Sequence, residues 1–177
     1  MEFWDLYDKD RNLLKGSMRR GEPQPAGTFH LVVHVCIFDS NGDMLIQHRQ
    51  PFKDGWPDRW DLTVGGSAVR GDNSQAAAER ETMEEIGCAL NLTDERPALT
   101  LHFDGGFDDI YLLKRDLSIS SLALQPEEVS EVKWASLQEI CEMIDDGRFI
   151  PYHKALIELL FHLKDYRTAH TRSEQPE

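Results

Sequence analysis

The hydrophobic pattern of this chain reads as short apolar stretches broken by polar turns, with helical spacing in three places. TFHLVVHVCIFDSNGDMLIQHR (Thr28 to Arg49) has a long apolar run, an Asn41-Gly42 turn and a second apolar run, which predicts a β-hairpin. FWDLYDKDRNLLKG (Phe3 to Gly16) predicts two short strands around a polar turn, an N-terminal hairpin extension over residues 1–22. The Pro/Gly connector GEPQPAG joins it to the rest. Further strands are predicted near Trp60–Val64, Ala98–Phe103, Phe107–Lys114 and Val129–Ala135.

A helix is predicted from about Asn73 to Ile86, opened by capping-box-like spacing of Asp72 and Gln75 and closed by Gly87. A second starts at Ser136, three residues before Glu139, and stops at Gly147. A third starts near Pro151 and carries Leu156, Leu160 and Leu163 at helical spacing. Residues 168–177 are predicted to be a disordered tail. Strands mixed with a few helices predict one α/β (α+β) layered domain over residues 1–167, with no internal repeat.

Composition narrows the partners. The 177 residues carry 32 acids against 19 bases, a net charge of −13, which disfavours general binding to nucleic acid or to an anionic membrane. A phosphorylated small molecule remains open to it if a cation bridges the two. Cys36, Cys88 and Cys141 form neither a disulfide framework nor a zinc pattern. With no signal peptide and no long apolar run, the expected compartment is the cytoplasm. The N-terminal strands offer a surface for a homodimer.

The chemistry concentrates in GGSAVRGDNSQAAAERETMEEIG (Gly65 to Gly87). At about 100° per residue, Glu81, Glu84 and Glu85 share one narrow arc of the predicted helix. Ala77 and Ala78 fall on the same side and are expected to leave open space before the carboxylates. Like charges this close repel, so the cluster gains nothing locally. A hard divalent cation removes that repulsion, and an oxygen-only donor set suits Mg²⁺ or Mn²⁺. Arg80, at the edge of the arc, can fix one carboxylate.

This stretch resembles the Nudix box. Gly66, Arg80, Glu81, Glu84, Glu85 and Gly87 match its pattern, and Cys88 serves as its small apolar residue. Asp72 stands where Glu is usual, and Thr82 where an apolar residue usually packs. The strand order and the Trp134 strand followed by a Ser136-capped helix are also similar to a complete Nudix domain. The resemblance implies an αβα sandwich with a mixed sheet and a loop–helix–loop box. It implies Glu84 and Glu85 as the main metal ligands and Glu81 as a ligand or the general base. Arg80 would orient Glu81, and the Gly65 carbonyl would complete the metal shell. A further catalytic acid is implied near Glu127 or Glu128, with Glu128 taken as the candidate. The implied activity is Mg²⁺-dependent hydrolysis of a diphosphate linkage in a nucleoside diphosphate joined to another group.

Two rival readings belong beside it. WDLYD and FHLVVHVCIF look similar to the Nudix branch that includes isopentenyl-diphosphate isomerases. Those enzymes place a catalytic Cys where Gly65 stands and a metal-binding His where Ser67 stands, and both are missing here. A non-catalytic Nudix-fold binding module would have no physical need for the carboxylate cluster. Outside the box, His30 and His34 share a strand face about 13 Å apart and are expected to be ordinary packed histidines. Asp104, Asp108 and Asp109 flank a Gly-Gly turn and are expected on its solvent side. Trp56 and Trp60 are expected to be core residues rather than a stacking surface.

Overall fold

The structure, a computed structural model, describes residues 2–165. The predicted tail at 168–177 lies outside them. Nine strands and three α-helices follow in chain order among the described residues: β1 (Phe3–Tyr7), β2 (Leu13–Arg19), β3 (His30–Phe38), β4 (Met44–Arg49), β5 (Trp60–Asp61), β6 (Val64–Ser67), α1 (Ser74–Ile86), β7 (Leu99–Phe103), β8 (Gly106–Lys114), β9 (Val129–Ala135), α2 (Leu137–Asp145) and α3 (Lys154–Leu163). None of these helices is long and apolar enough to cross a membrane.

Strand β3 is the organiser. It runs parallel to β8 over its whole length, from His30 opposite Gly106 to Phe38 opposite Lys114. Its side chains alternate between two cores, as strand geometry requires. Val33, Val35 and Ile37 pack on one face with Ala77, Ala78 and Ile86 of α1. Cys36 and Phe38 pack on the other with Ile140 and Met143 of α2 and Ile157 and Leu160 of α3. The result is an αβα sandwich around a mixed sheet.

The predicted β3–β4 hairpin is only partly formed. The two strands pair at Phe38 and Met44, beside the turn, and then part company. Beyond that point β3 pairs with β6 and β8, while β4 pairs with β9 and β5. Thr63, wholly buried, fills the seam: its hydroxyl accepts from Ile37 N at 2.9 Å and donates to the Leu45 carbonyl. That bridge satisfies backbone groups the splayed strands leave unpaired. It also explains why the single strand predicted near Trp60–Val64 is two, one on each side of Thr63.

The helix ends differ from prediction in small ways. Asn73, not Asp72, caps α1, its side chain accepting from Ala76 N at 2.8 Å. Gln75 reaches the Glu95 carbonyl instead of closing a capping box. Gly87 ends the helix at φ 68°, a left-handed conformation that favours glycine, and its N–H donates to Met83 O. Helix α2 stops at Asp145, two residues short of Gly147, and α3 begins at Lys154, beyond Pro151.

The N-terminal hairpin β1–β2 forms its own two-stranded sheet and is fastened to the domain at several points. Tyr7 and Phe29 exchange backbone hydrogen bonds, and Trp4 stacks on His30 with ring centroids 4.4 Å apart. Arg11 reaches the wholly buried Asp109 with a two-pronged contact, one prong at 2.9 Å, and Thr100 donates to the same carboxylate.

Candidate functional site

Strand β6, the C-terminal half of α1 and the splay between the half-sheets meet at a cleft of about 560 Å³. Its walls include Gly65, Gly66, Arg80, Glu81, Glu84 and Glu85 from the Gly-to-Gly stretch, and Glu128 from the loop before β9. Glu127 is exposed and outside the lining.

Arg80 is the hub of the acids. Its Nε donates to Asp72 at 3.0 Å, its Nη1 to Glu81 at 2.9 Å and to Glu84 at 3.1 Å, and its Nη2 to the Ser67 carbonyl at 3.1 Å. One fixed carboxylate is expected from the sequence, and Arg80 holds three. Asp72, one methylene shorter than the usual acid, still reaches the guanidinium. Burial works against the Arg80 cation, but Glu81 and Asp72 outweigh it and hold its pKa above the ordinary value.

The three glutamates differ sharply in environment. Glu84 is exposed, Glu81 is partly buried, and Glu85 is only 4 % exposed. Gln47 Nε2 donates to Glu85 at 3.0 Å. Burial, and next the charge of Glu81, push the Glu85 carboxyl up to about 8. Burial also raises Glu81, against the pull of Arg80. The open space expected before the carboxylates is the cleft itself, but the alanines do not line it. Ala77 and Ala78 are wholly buried, and their small size lets α1 approach the sheet, which is what carries Glu85 inside. Thr82 is also buried and donates to the Ala78 carbonyl at 2.7 Å, so its hydroxyl is satisfied where an apolar side chain was expected.

Gly66 makes this packing possible. A Cβ at that position would stand 2.2 Å from the Glu81 carboxyl carbon. Only a residue without a side chain lets Glu81 lie against β6.

As a donor set the carboxylates and the Gly65 carbonyl offer oxygen alone, the chemistry of a hard divalent cation. Among the described residues no three His, Cys, Asp or Glu side chains already converge on one point. Arg80 and Gln47 hold the glutamates individually instead.

The opposite wall was not anticipated. His34, expected to be an ordinary packed residue, lines the cleft. Its Nδ1 lies 2.8 Å from Asp108, and its Nε2 lies 3.4 Å from the Tyr152 hydroxyl, which donates to Asp61 at 2.9 Å. Burial disfavours the His34 imidazolium, but Asp108 prevails and raises its pKa. Asp108 and Asp109 are thus inside the protein, correcting the solvent-side expectation, while Asp104 is exposed as expected. The alternation along GFDDIYLL could have shown this: Asp109 shares a face with Phe107 and Tyr111, and Asp108 with Ile110 and Leu112.

Arg20, Arg49, Lys53 and Trp56 also line the cleft. Lys53 is ion-paired with Glu128. Trp56, expected in the core, is 53 % exposed and held at φ 49°. Trp60 is partly buried, stacked on His48 at 5.0 Å with Lys133 over its ring.

Comparison with known proteins agrees with this geometry. The family model described as NUDIX domain matches residues 28–160. An uncharacterized Nudix hydrolase of Listeria innocua is 44% identical over 170 residues, covering 96% of this chain and 99% of the relative. An isopentenyl-diphosphate Delta-isomerase of Streptomyces avermitilis is 28% identical over 145 residues, covering 78% of this chain and 73% of the relative. The crystal structure of DR0079 from Deinococcus radiodurans superposes with a TM-score of 0.71 at 24% identity, covering 91% of this chain and 98% of that one, a likeness of fold.

Proposed function

The chain belongs to the Nudix hydrolase family, and on that footing we propose that it is a Mg²⁺-dependent pyrophosphohydrolase, with Mn²⁺ able to replace Mg²⁺. Its substrate is a small molecule, a nucleoside diphosphate joined to another group, and its expected setting is the cytoplasm. The observation that carries the reading is Glu85, buried beside Glu81 with a neutral amide as its hydrogen-bond partner. An ionised carboxylate in that position is costly, and a divalent cation bound to it offsets the cost.

In this reading Glu81, Glu84, Glu85 and the Gly65 carbonyl hold the ion, which when bound neutralises phosphoryl charge and acidifies a water. The protein's own groups do the remaining work. Arg80 fixes the approach of Glu81 to the cleft. If Glu81 stays off the ion it is the general base instead of a ligand, a stronger proton acceptor than an ordinary carboxylate because burial raises its pKa. Glu128, steadied by Lys53 on the other side of the cleft, is the second candidate base. Arg49 and Lys53 offer positive charge to the phosphates, and the exposed face of Trp56 can stack on a base.

The isomerase reading finds no support at its key position. A Cβ on Gly65 would lie 2.7 Å from the His34 ring, and Cys36 is wholly buried with its thiol pushed up by burial. Gly65 itself has no side chain to serve the proton transfers of an allylic shift.

The test is a panel of nucleoside triphosphates, diphosphate sugars, dinucleotides and diphosphate cofactors, assayed for phosphate or nucleoside monophosphate release. Hydrolysis should vanish in EDTA and return with millimolar-range Mg²⁺ or Mn²⁺. Isopentenyl diphosphate should not convert to its dimethylallyl isomer by NMR. Full activity in a verified metal-free preparation, or isomer formation at a catalytic rate, would overturn the proposal.

A further inference from the structure

The N-terminal hairpin lies outside residues 28–160, the part of the chain that the family model matches. Yet Glu2 and Arg20, at its two ends, line the same cleft as Glu81 and Glu84. This is no loose appendage. Besides the Trp4, Tyr7 and Arg11 attachments, the Phe3 carbonyl accepts from Arg70 N at 2.7 Å and the Asp5 carboxylate from Gly71 N at 2.8 Å. Those two amides belong to the loop that leads from β6 into α1, so the hairpin braces the entrance to the glutamate helix.

The cations of the cleft are not equally free. Arg80 is committed to three carboxylates and a carbonyl. Arg49 donates to the Gly55 carbonyl and to Asp61, and Lys53 to Glu128. Arg20 donates from Nη1 to Glu2 at 2.7 Å, its one side-chain hydrogen bond among the described residues. Of the five N–H donors on a guanidinium, most are therefore available there. The Glu2 partner is itself exposed, and an exposed pair of this kind is easily exchanged. Glu2, and then Glu128 and Glu81 across the cleft, hold the Arg20 pKa above its ordinary value, so the group faces the site as a full cation.

We propose that the hairpin completes the active site, with Arg20 binding a phosphoryl oxygen of the diphosphate substrate through its guanidinium fork and leaving Glu2 as it does so. This rests on the pyrophosphohydrolase reading for the identity of the ligand. The planar fork matches two phosphoryl oxygens, a fit that lysine lacks. In a chain of net charge −13 with an acidic helix at the site, a cation whose partner is easily exchanged is also what an anionic ligand requires to enter.

The experiment uses the full chain as wild type, Arg20→Ala, Arg20→Lys and Glu2→Gln, each checked for an unchanged thermal midpoint. Calorimetric titration with methylenediphosphonate in Mg²⁺ measures diphosphate binding without turnover. Steady-state kinetics on the best substrate of the panel runs in parallel. Arg20→Ala should weaken methylenediphosphonate binding and raise KM by about tenfold or more, with kcat within about threefold. Arg20→Lys should fall between, and Glu2→Gln should tighten binding about twofold by releasing the guanidinium. Wild-type affinity and KM in Arg20→Ala would overturn the proposal, as would a wild-type chain that does not bind methylenediphosphonate. Retained binding and an Arg20 effect without hydrolysis would instead count against the pyrophosphohydrolase reading alone.

Discussion

Replacing Gly66 by alanine tests whether the position of Glu81, and not merely its presence, matters. The added Cβ would lie 2.2 Å from the Glu81 Cδ and 2.4 and 2.6 Å from its two oxygens, where ordinary contact begins at 3.4 Å. The carboxylate must therefore retreat by about 1.2 Å, the difference between 3.4 and 2.2 Å. It is the far end of a flexible side chain, so it can move, but the 2.9 Å bond from Arg80 then stretches out of hydrogen-bond range. A misplacement of about 1 Å at a reacting group costs about 10²-fold in rate, which is about 2.7 kcal/mol of transition-state stabilisation. The fold should tolerate the change. Gly66 pairs with Val33 in an ordinary antiparallel register, and Arg80 keeps Asp72, Glu84 and the Ser67 carbonyl. We expect kcat to fall about a hundredfold and the melting midpoint to move by less than about 4 °C. Glu81→Asp shortens the acid by one methylene, so its cost should be smaller in the Gly66→Ala background than in the wild type. Steady-state kinetics at saturating Mg²⁺ and thermal melts decide the matter. A Gly66→Ala enzyme within threefold of wild-type kcat would refute the reasoning.

Three further predictions follow from the same geometry. Because the folded-state pKa of Glu85 is raised from 4.5 to about 8, its contribution to stability is full below about 4.5 and is lost as pH rises toward 8. Between pH 6 and 8 in EDTA that loss is about 2.3 kcal/mol, or about 5–9 °C in melting midpoint; saturating Mg²⁺ or Glu85→Gln should flatten the slope, and a flat EDTA profile in the wild type would count against a buried, uncompensated Glu85. Arg80→Ala should lower kcat by about 10²-fold through misplacement of Glu81, with a smaller change in the Mg²⁺ concentration for half-maximal activity, whereas Glu84→Gln and Glu85→Gln should shift that concentration upward; wild-type rates in both glutamine variants would mean that the carboxylates are a solvated face. Arg11→Ala strands the buried Asp109 and should destabilise the fold by about 3 kcal/mol in urea unfolding, and a change under 1 kcal/mol would show that the pair is not holding the hairpin down.

Much of this protein was legible in one dimension because its information is local. The spacing of Gly66, Arg80, Glu81, Glu84, Glu85 and Gly87 is set by the pitch of one helix and the loop that feeds it, so the acidic arc and its glycine stop could be placed from the chain alone. Strands β8 and β9 and the Ser136 cap were likewise foreseeable, since each depends on alternation or capping over a few residues. What escaped was decided between segments far apart in sequence. Whether Glu85 is buried depends on how closely α1 packs on the sheet, which the two alanines permit but do not announce. The facing of Asp108 toward His34, 74 residues away, and of Arg11 toward Asp109, 98 residues away, depends on the parallel register of β3 and β8 and on where the hairpin folds back. The same holds for Thr63, whose single hydroxyl bridges two diverging strands. A local pattern can fix a residue's direction on its own element; only tertiary packing decides which desolvated charge finds a partner and which is left waiting for one.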